Sequence, residues 1–65
     1  MTGTVTAFDE AAGLGTITAD DGTRFAFHCT AISDGTRTIP VDTTVEFVAR
    51  PARHGTYEAS QITRR

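Results

Sequence analysis

The sequence contains no tryptophan, no lysine and one cysteine, and these absences narrow the chemistry open to it. With Cys29 alone, the chain forms no internal disulfide and offers no thiolate cluster with metal-ligand spacing. No apolar run approaches the roughly 20 residues that a membrane-spanning helix needs. The start, "MTGTVTAFDE", lacks the basic and apolar segments of a signal peptide. We therefore expect one domain over residues 1–65 in a cytoplasmic protein with no membrane partner.

Positive charge is also scarce, and the net charge is −2. Affinity for nucleic-acid backbones comes largely from Lys and Arg, so this balance disfavours a general polyanion binder. The charge is unevenly distributed. Residues 1–34 carry one arginine against five carboxylates, whereas residues 35–65 carry five arginines against three carboxylates. The balances of the two halves are thus −4 and +2.

Strand patterning recurs along the chain, while helical periodicity is hard to find. Residues alternate with period two and are rich in β-branched types between Gly, Asp and Pro turn signals. Five strands are predicted, with the sequences "TGTVTAF" (2–8), "LGTITA" (14–19), "TRFAFHC" (23–29), "TTVEFVAR" (43–50) and "TYEASQI" (56–62). The sequence therefore predicts an all-β domain.

The same alternation predicts which side chains form the core. In the first strand, Val5 and Ala7 share one face, opposite Thr4, Thr6 and Phe8. The other predicted core residues are Ile17, Phe25, Phe27, Val45, Phe47, Ala59 and Ile62. Since Ala59 and Ile62 lie on opposite phases of one strand, that strand is expected to bend or to contain a bulge.

Two connections have distinctive sequences. Asp21-Gly22 is typical of a tight hairpin, because both residue types tolerate positive φ. The segment Thr30–Asp42 is a long link anchored to the core by Ile32, and loops of this length in a small domain are often functional. Three strands in a meander followed by a long link and a final pair predict a five-stranded antiparallel barrel of the oligonucleotide/oligosaccharide-binding (OB) fold. A Src-homology-like small barrel is the alternative.

The residues also resemble the bacterial cold-shock domain over nearly the whole chain. The matching segments are "TGTV" followed by "AF", then "GLGTITADDG", "FAFHCTAI" and "VEF". Family members typically read T-G-x-V-K-W-F-N, then K-G-F-G-F-I-x-P-D-D-G, then V-F-V-H-F-S-A-I. The resemblance implies a barrel that binds single-stranded RNA or DNA on one face and acts as an RNA chaperone.

This chain departs from the family pattern at most of the stacking positions. The tryptophan of the first strand falls on Ala7, the outward phenylalanines of the second on Leu14 and Thr16, and that of the third on Ala26. The ring after the histidine falls on Cys29, and the family's two lysines fall on Thr6 and Ala12. Phe8 and His28 match, while Phe25 and Phe27 occupy positions of inward valines. By resemblance, the candidate nucleic-acid-binding residues are Phe8, Leu14, Thr16, Ala26 and His28.

The missing rings predict weak or altered binding. Stacking of a base on an aromatic ring contributes about 1–3 kcal/mol, so loss of some five rings removes on the order of 5–15 kcal/mol before non-additivity. A micromolar complex is held by only about 8 kcal/mol. The alternative is a protein-interaction or regulatory module that keeps the barrel and uses the Phe8/Leu14/Ala26 surface, or the long link, to bind a protein.

Other candidate sites are less specific. Arg50 and Arg53, with His54, flank the last turn and form a candidate basic lip for phosphate, or a solvated turn. Asp20, Asp21 and Gly22 are accounted for by a hairpin. Cys29 follows His28 directly, and alternation places the two side chains on opposite faces of the strand. No catalytic set or Gly-rich phosphate loop is evident, so no enzyme activity, metal or cofactor is predicted.

Overall fold

The computed structural model describes residues 1–52 and 55–65, and within them the predicted all-β OB barrel is confirmed. The elements are β1 (Thr2–Asp9), β2 (Leu14–Ala19), β3 (Arg24–His28), a 3-10 turn (Cys29–Ala31), β4 (Thr44–Pro51) and β5 (Tyr57–Arg64). The strands close a barrel in the order β1-β2-β3-β5-β4. No helix in the described ranges is long and apolar enough to cross a membrane.

The barrel closes through one parallel pairing, which corrects the prediction of an antiparallel barrel. β1 runs antiparallel to both β2 and β4, β3 runs antiparallel to β2, and β5 runs antiparallel to β4. β5 therefore points in the same direction as β3, and the two pair in parallel at Ala26 and Glu58. This is the sole ladder position between them in the described residues, so β3 and β5 have the shortest pairing of the barrel.

The core contains the predicted strand residues except Ala7, together with both isoleucines of the long link. Its buried members are Val5, Ile17, Ala19, Phe25, Phe27, Ile32, Ile39, Val45, Phe47, Ala59 and Ile62. Ile32 is buried as predicted. Ile39 was not predicted, because it lies outside any alternating segment. The Phe25 and Phe47 rings meet edge to face with centroids 5.1 Å apart, a favourable aromatic geometry.

β5 contains the expected bulge. Ala59 and Ile62 are both buried although three positions separate them. The pairing with β4 shifts register between Glu46 and Val48, and Gln61 takes a left-handed φ of 49°. The extra residue at Gln61 rotates the strand so that both apolar side chains reach the core.

The phase predicted for β1 is wrong at Ala7 and Phe8. The pairing of β1 with β2 shifts register between Val5 and Ala7, so Ala7 is exposed instead of sharing the buried face of Val5. Phe8 is turned partly inward and packs against the core. A register shift changes which face each later residue occupies, and simple alternation cannot anticipate it.

The β2–β3 hairpin is longer than a two-residue turn. Ala19 accepts from the Gly22 amide (2.8 Å) and donates to the carbonyl of Thr23 (2.7 Å). Gly22 has a φ of 91°, whereas Asp21 keeps a negative φ and accepts from the Thr23 amide at 3.0 Å. That hydrogen bond lowers the pKa of Asp21. Both residues thus serve the turn, but only the glycine supplies the left-handed conformation.

Arg64 fastens the long link to β5. Its Nε lies 3.0 Å from Asp34 Oδ2, and its Nη2 donates to Thr36 Oγ1 (2.8 Å) and to the carbonyl of Thr38 (2.7 Å). Hydrogen bonds from Thr36 and the charge of Arg64 hold the pKa of Asp34 below its ordinary range. One guanidinium therefore restrains three residues of the link.

We expect Arg64→Ala to release the link while the barrel stays folded. Amide hydrogen exchange at residues 33–39 should accelerate, because three hydrogen bonds to the link are lost. The matched control is Arg65→Ala, which removes an exposed pair with Glu46 (2.8 Å). Equal exchange at residues 33–39 in the two variants would contradict this role for Arg64.

Lowering the pH should likewise reduce the protection of amides 33–39 from exchange in the unsubstituted chain, relative to their intrinsic exchange rates at each pH. Because the folded-state pKa of Asp34 is lowered, its stabilising contribution is complete above the unfolded value of about 3.9 and is lost as pH falls through the folded value. Asp34→Asn should flatten this acid dependence of link protection.

Candidate nucleic-acid interface

The outward face of β1, β2 and β3 brings four of the predicted site residues together. Leu14 lies opposite His28, and Thr16 lies opposite Ala26 in the β2–β3 pairing. Thr16 also pairs with Ala7 of β1, so one row across the three strands reads Ala7, Thr16, Ala26. Directly opposed residues on one sheet face lie within side-chain contact. We call this surface the β1–β3 face.

The rows of the β1–β3 face carry short side chains and one exposed aliphatic. Ala7 and Ala26 are exposed, Thr16 is half-buried and Leu14 is 53% exposed. The next row pairs Thr18 with Arg24, and Thr6 Oγ1 lies 3.1 Å from Thr18 Oγ1. Methyl and hydroxyl groups offer no π surface on which a base can stack.

Phe8 is only partly available at this face. It is half-buried, and its ring stacks on Phe27 with centroids 5.9 Å apart and an interplanar angle of 11°. Its pairing partner is Gly15, which leaves room for the rings: a Cβ at that position would lie 2.8 Å from the Ala7 carbonyl and 2.6 Å from Phe27 Cε1. The aromatic core thus uses one side of the Phe8 ring.

His28 is exposed and caps the 3-10 turn. Its Nδ1 accepts from the Thr30 amide at 3.3 Å and lies 2.9 Å from Thr30 Oγ1. Since the amide can only donate, Nδ1 acts as the acceptor, and in the neutral ring Nε2 carries the proton. The imidazole is therefore held in place by the chain and presents Nε2–H as a donor.

Cys29 lies closer to His28 than the sequence predicted. β3 ends at His28, and Cys29 begins the 3-10 turn, so strand alternation no longer applies. Its Sγ lies 3.9 Å from His28 Nδ1, which corrects the expectation that the two side chains occupy opposite faces. Cys29 is a free, half-buried thiol, and no cluster of three metal-ligating side chains occurs in the part of the chain described.

The candidate basic lip is described only at Arg50, because Arg53 and His54 lie outside the described residues. Arg50 Nε donates to Ser60 Oγ at 3.0 Å, and Arg50 pairs across the strands with Glu58. Glu58 in turn lies beside Ala26. The Arg50 guanidinium is thus held against β5. In the order of the paired strands, Glu58 lies between Arg50 and Ala26 of the β1–β3 face.

Sequence reasoning missed one exposed ring. Tyr57 is 54% exposed and lines a shallow depression with Arg24 and Ala26. In β5, Tyr57 is in phase with the buried Ala59, so alternation gives no sign of its exposure. The available signals were its place as the first residue of the strand and its position just after the Gly55 turn.

Comparison with known proteins agrees with this architecture. A sequence model of the "'Cold-shock' DNA-binding domain" family matches residues 1–65. A comparison with curated proteins gave no significant match. The five-stranded barrel fits the family's nucleic-acid-binding fold, which is not that of an enzyme family. The chain belongs to the cold-shock DNA-binding domain family, whose members bind single-stranded nucleic acid.

Proposed function

We propose that residues 1–65 form a single cold-shock-like domain that binds single-stranded RNA or DNA weakly, through a β1–β3 face depleted of stacking rings. The observation that carries this proposal is the row of Ala7, Thr16 and Ala26 across the three strands. Every base that would stack in this row meets a methyl or a hydroxyl group. Contact is thereby reduced to van der Waals packing and hydrogen bonds.

The charges near the face support low affinity as well. Arg24 is the cation on the outward rows, while Asp9 flanks Leu14 and Glu58 flanks Ala26. Phosphate contacts supply most of the salt-dependent affinity for nucleic acids, and carboxylates oppose it. With a net charge of −2, the chain has little long-range attraction to compensate for the lost stacking.

The groups left on the face support altered binding rather than none. Leu14 offers an apolar contact, His28 offers a positioned Nε2–H donor, and half-buried Phe8 offers part of one ring. Together they make a short strip at the end of β2 and β3 nearest the 3-10 turn. A few nucleotides, not a long tract, fit such a strip.

Titration of labelled oligo-dT and oligo-rU at low salt should give dissociation constants weaker than micromolar, because each missing ring costs about 1–3 kcal/mol. Chemical-shift mapping with the same oligonucleotides should place the perturbed amides on β1, β2 and β3. A submicromolar constant would refute the claim of weakness. Complete absence of binding would favour the alternative of a protein-interaction module, for which the exposed Leu14 is the first residue to test.

Restoring rings to the face should strengthen binding. Thr16→Phe and Ala26→Phe lie directly opposite each other on β2 and β3, so each adds an outward ring in the same row. We expect each to tighten oligo-dT binding roughly fivefold or more. Val41→Phe adds a ring to an exposed site in the long link and serves as the control. Equal gains in all three variants would mean that any exposed ring suffices, which would contradict the assigned face.

Removing the remaining contacts should weaken whatever binding exists. Phe8→Leu keeps apolar packing on Phe27 but removes the ring, and His28→Asn keeps an acceptor for the Thr30 amide but removes the Nε2–H donor. Each is expected to weaken oligo-dT binding by about two- to fivefold, near the lower end of stacking and hydrogen-bond contributions. Thr63→Ala, an exposed change on β5, is the control. If both Phe8→Leu and His28→Asn bind like the unsubstituted chain, the named face is wrong.

A further inference from the structure

The barrel wall has a shallow depression where β3 meets β5. The two strands pair at a single described position, Ala26 with Glu58, so the surface opens beside it. The depression has a volume of about 440 Å³ and is lined by Arg24, Ala26, Ala52, Thr56, Tyr57 and Glu58. Ala26 also belongs to the β1–β3 face, so the depression continues that surface toward β5.

Tyr57 presents an aromatic surface at this depression. Its side chain is 54% exposed, and the ring-on-ring contacts in the described residues are Phe8 with Phe27 and Phe25 with Phe47. The tyrosine ring thus remains uncovered by another aromatic ring of the described chain. The small Ala26 side chain beside it leaves room for a planar group to approach.

The charges around the depression are arranged to orient a nucleotide. Arg24 is exposed on one wall and forms no ion pair within residues 1–52 and 55–65, which leaves its guanidinium for a phosphate. Glu58 lies on the β5 wall and repels phosphate from that side. A nucleotide therefore fits with its backbone toward β3 and its base toward Tyr57.

We propose that Tyr57 is a base-stacking residue of this domain, receiving one nucleobase of a single strand over Ala26 while Arg24 meets the adjoining phosphate. The inference rests on the proposed function and names a ring-bearing subsite on β5, outside the β1–β3 face. The Tyr57 ring lies at the edge of the row formed by Ala7, Thr16 and Ala26, which contains no aromatic side chain. Sequence-tolerant stacking on one such ring suits a weak, nonspecific binder.

Tyr57 also provides its own probe, because it is the single tyrosine in a chain that contains no tryptophan. The experiment follows two signals as the intact chain is titrated with fluorescein-labelled oligo-dT at low salt. Anisotropy of the label reports binding, and tyrosine fluorescence, corrected for absorption by the oligonucleotide, reports the environment of Tyr57. We expect tyrosine fluorescence to fall in parallel with the rise in anisotropy.

The variants Tyr57→Ala and Tyr57→Phe separate the ring from its hydroxyl. Tyr57→Ala should weaken binding roughly fivefold or more, the loss expected for one stacked base, while Tyr57→Phe should stay within about twofold of the unsubstituted chain. Val41→Ala removes an exposed apolar side chain of the long link, outside the proposed subsite, and should leave the affinity for oligo-dT unchanged. If Tyr57→Ala does not fold, the fluorescence titration of the unsubstituted chain decides the question alone.

The failures are distinguishable. Binding seen by anisotropy with unchanged tyrosine fluorescence, or with Tyr57→Ala within about twofold of the unsubstituted chain, overturns the Tyr57 subsite and leaves the proposed function standing. No change in anisotropy with the unsubstituted chain overturns both.

Discussion

The barrel depends on aromatic packing in an interior that is small enough for a few rings to fill. Phe25 meets Phe47 edge to face, and Phe27 stacks on Phe8. These contacts join β3 to β4 and to β1, neither of which is a neighbour of β3 in the sheet. In a chain of 65 residues, where little apolar surface is available, such rings supply a large share of the burial.

Because the phenylalanine rings pack in the core, few aromatic side chains are left on the outer surface of the barrel. The cold-shock pattern places small valines inward on the third strand and rings outward, whereas this chain has Phe25 and Phe27 inward and Ala26 outward. Phe8, one of the two family-matched side chains, is itself drawn against Phe27. The chain therefore keeps the family's barrel, while all four of its phenylalanines pack in or against the core.

Residue type and spacing predicted most of the core and the bulge in β5. Alternation identified Phe25, Phe27, Val45 and Phe47 as core, and the conflicting phases of Ala59 and Ile62 predicted the bulge that Gln61 makes. Prediction failed where backbone hydrogen bonding changed the local period. The register shift in β1 exposed Ala7, and the 3-10 turn brought Cys29 toward His28. The depression beside Tyr57 could not be predicted from strand alternation for a different reason. It forms only because β5, distant in sequence, lies beside β3 in the barrel.

β5 has further significance for how the chain reaches its native state. Its residues pair with β4 and β3, its Ile62 bridges Ile32, and its Arg64 holds the long link. The amino terminus also donates to Phe47, 46 positions away. Such a topology has high contact order, so barrel closure has to wait for distant segments to meet. During synthesis the first three strands can form their meander early, but the barrel closes only after Tyr57–Arg64 has emerged from the ribosome.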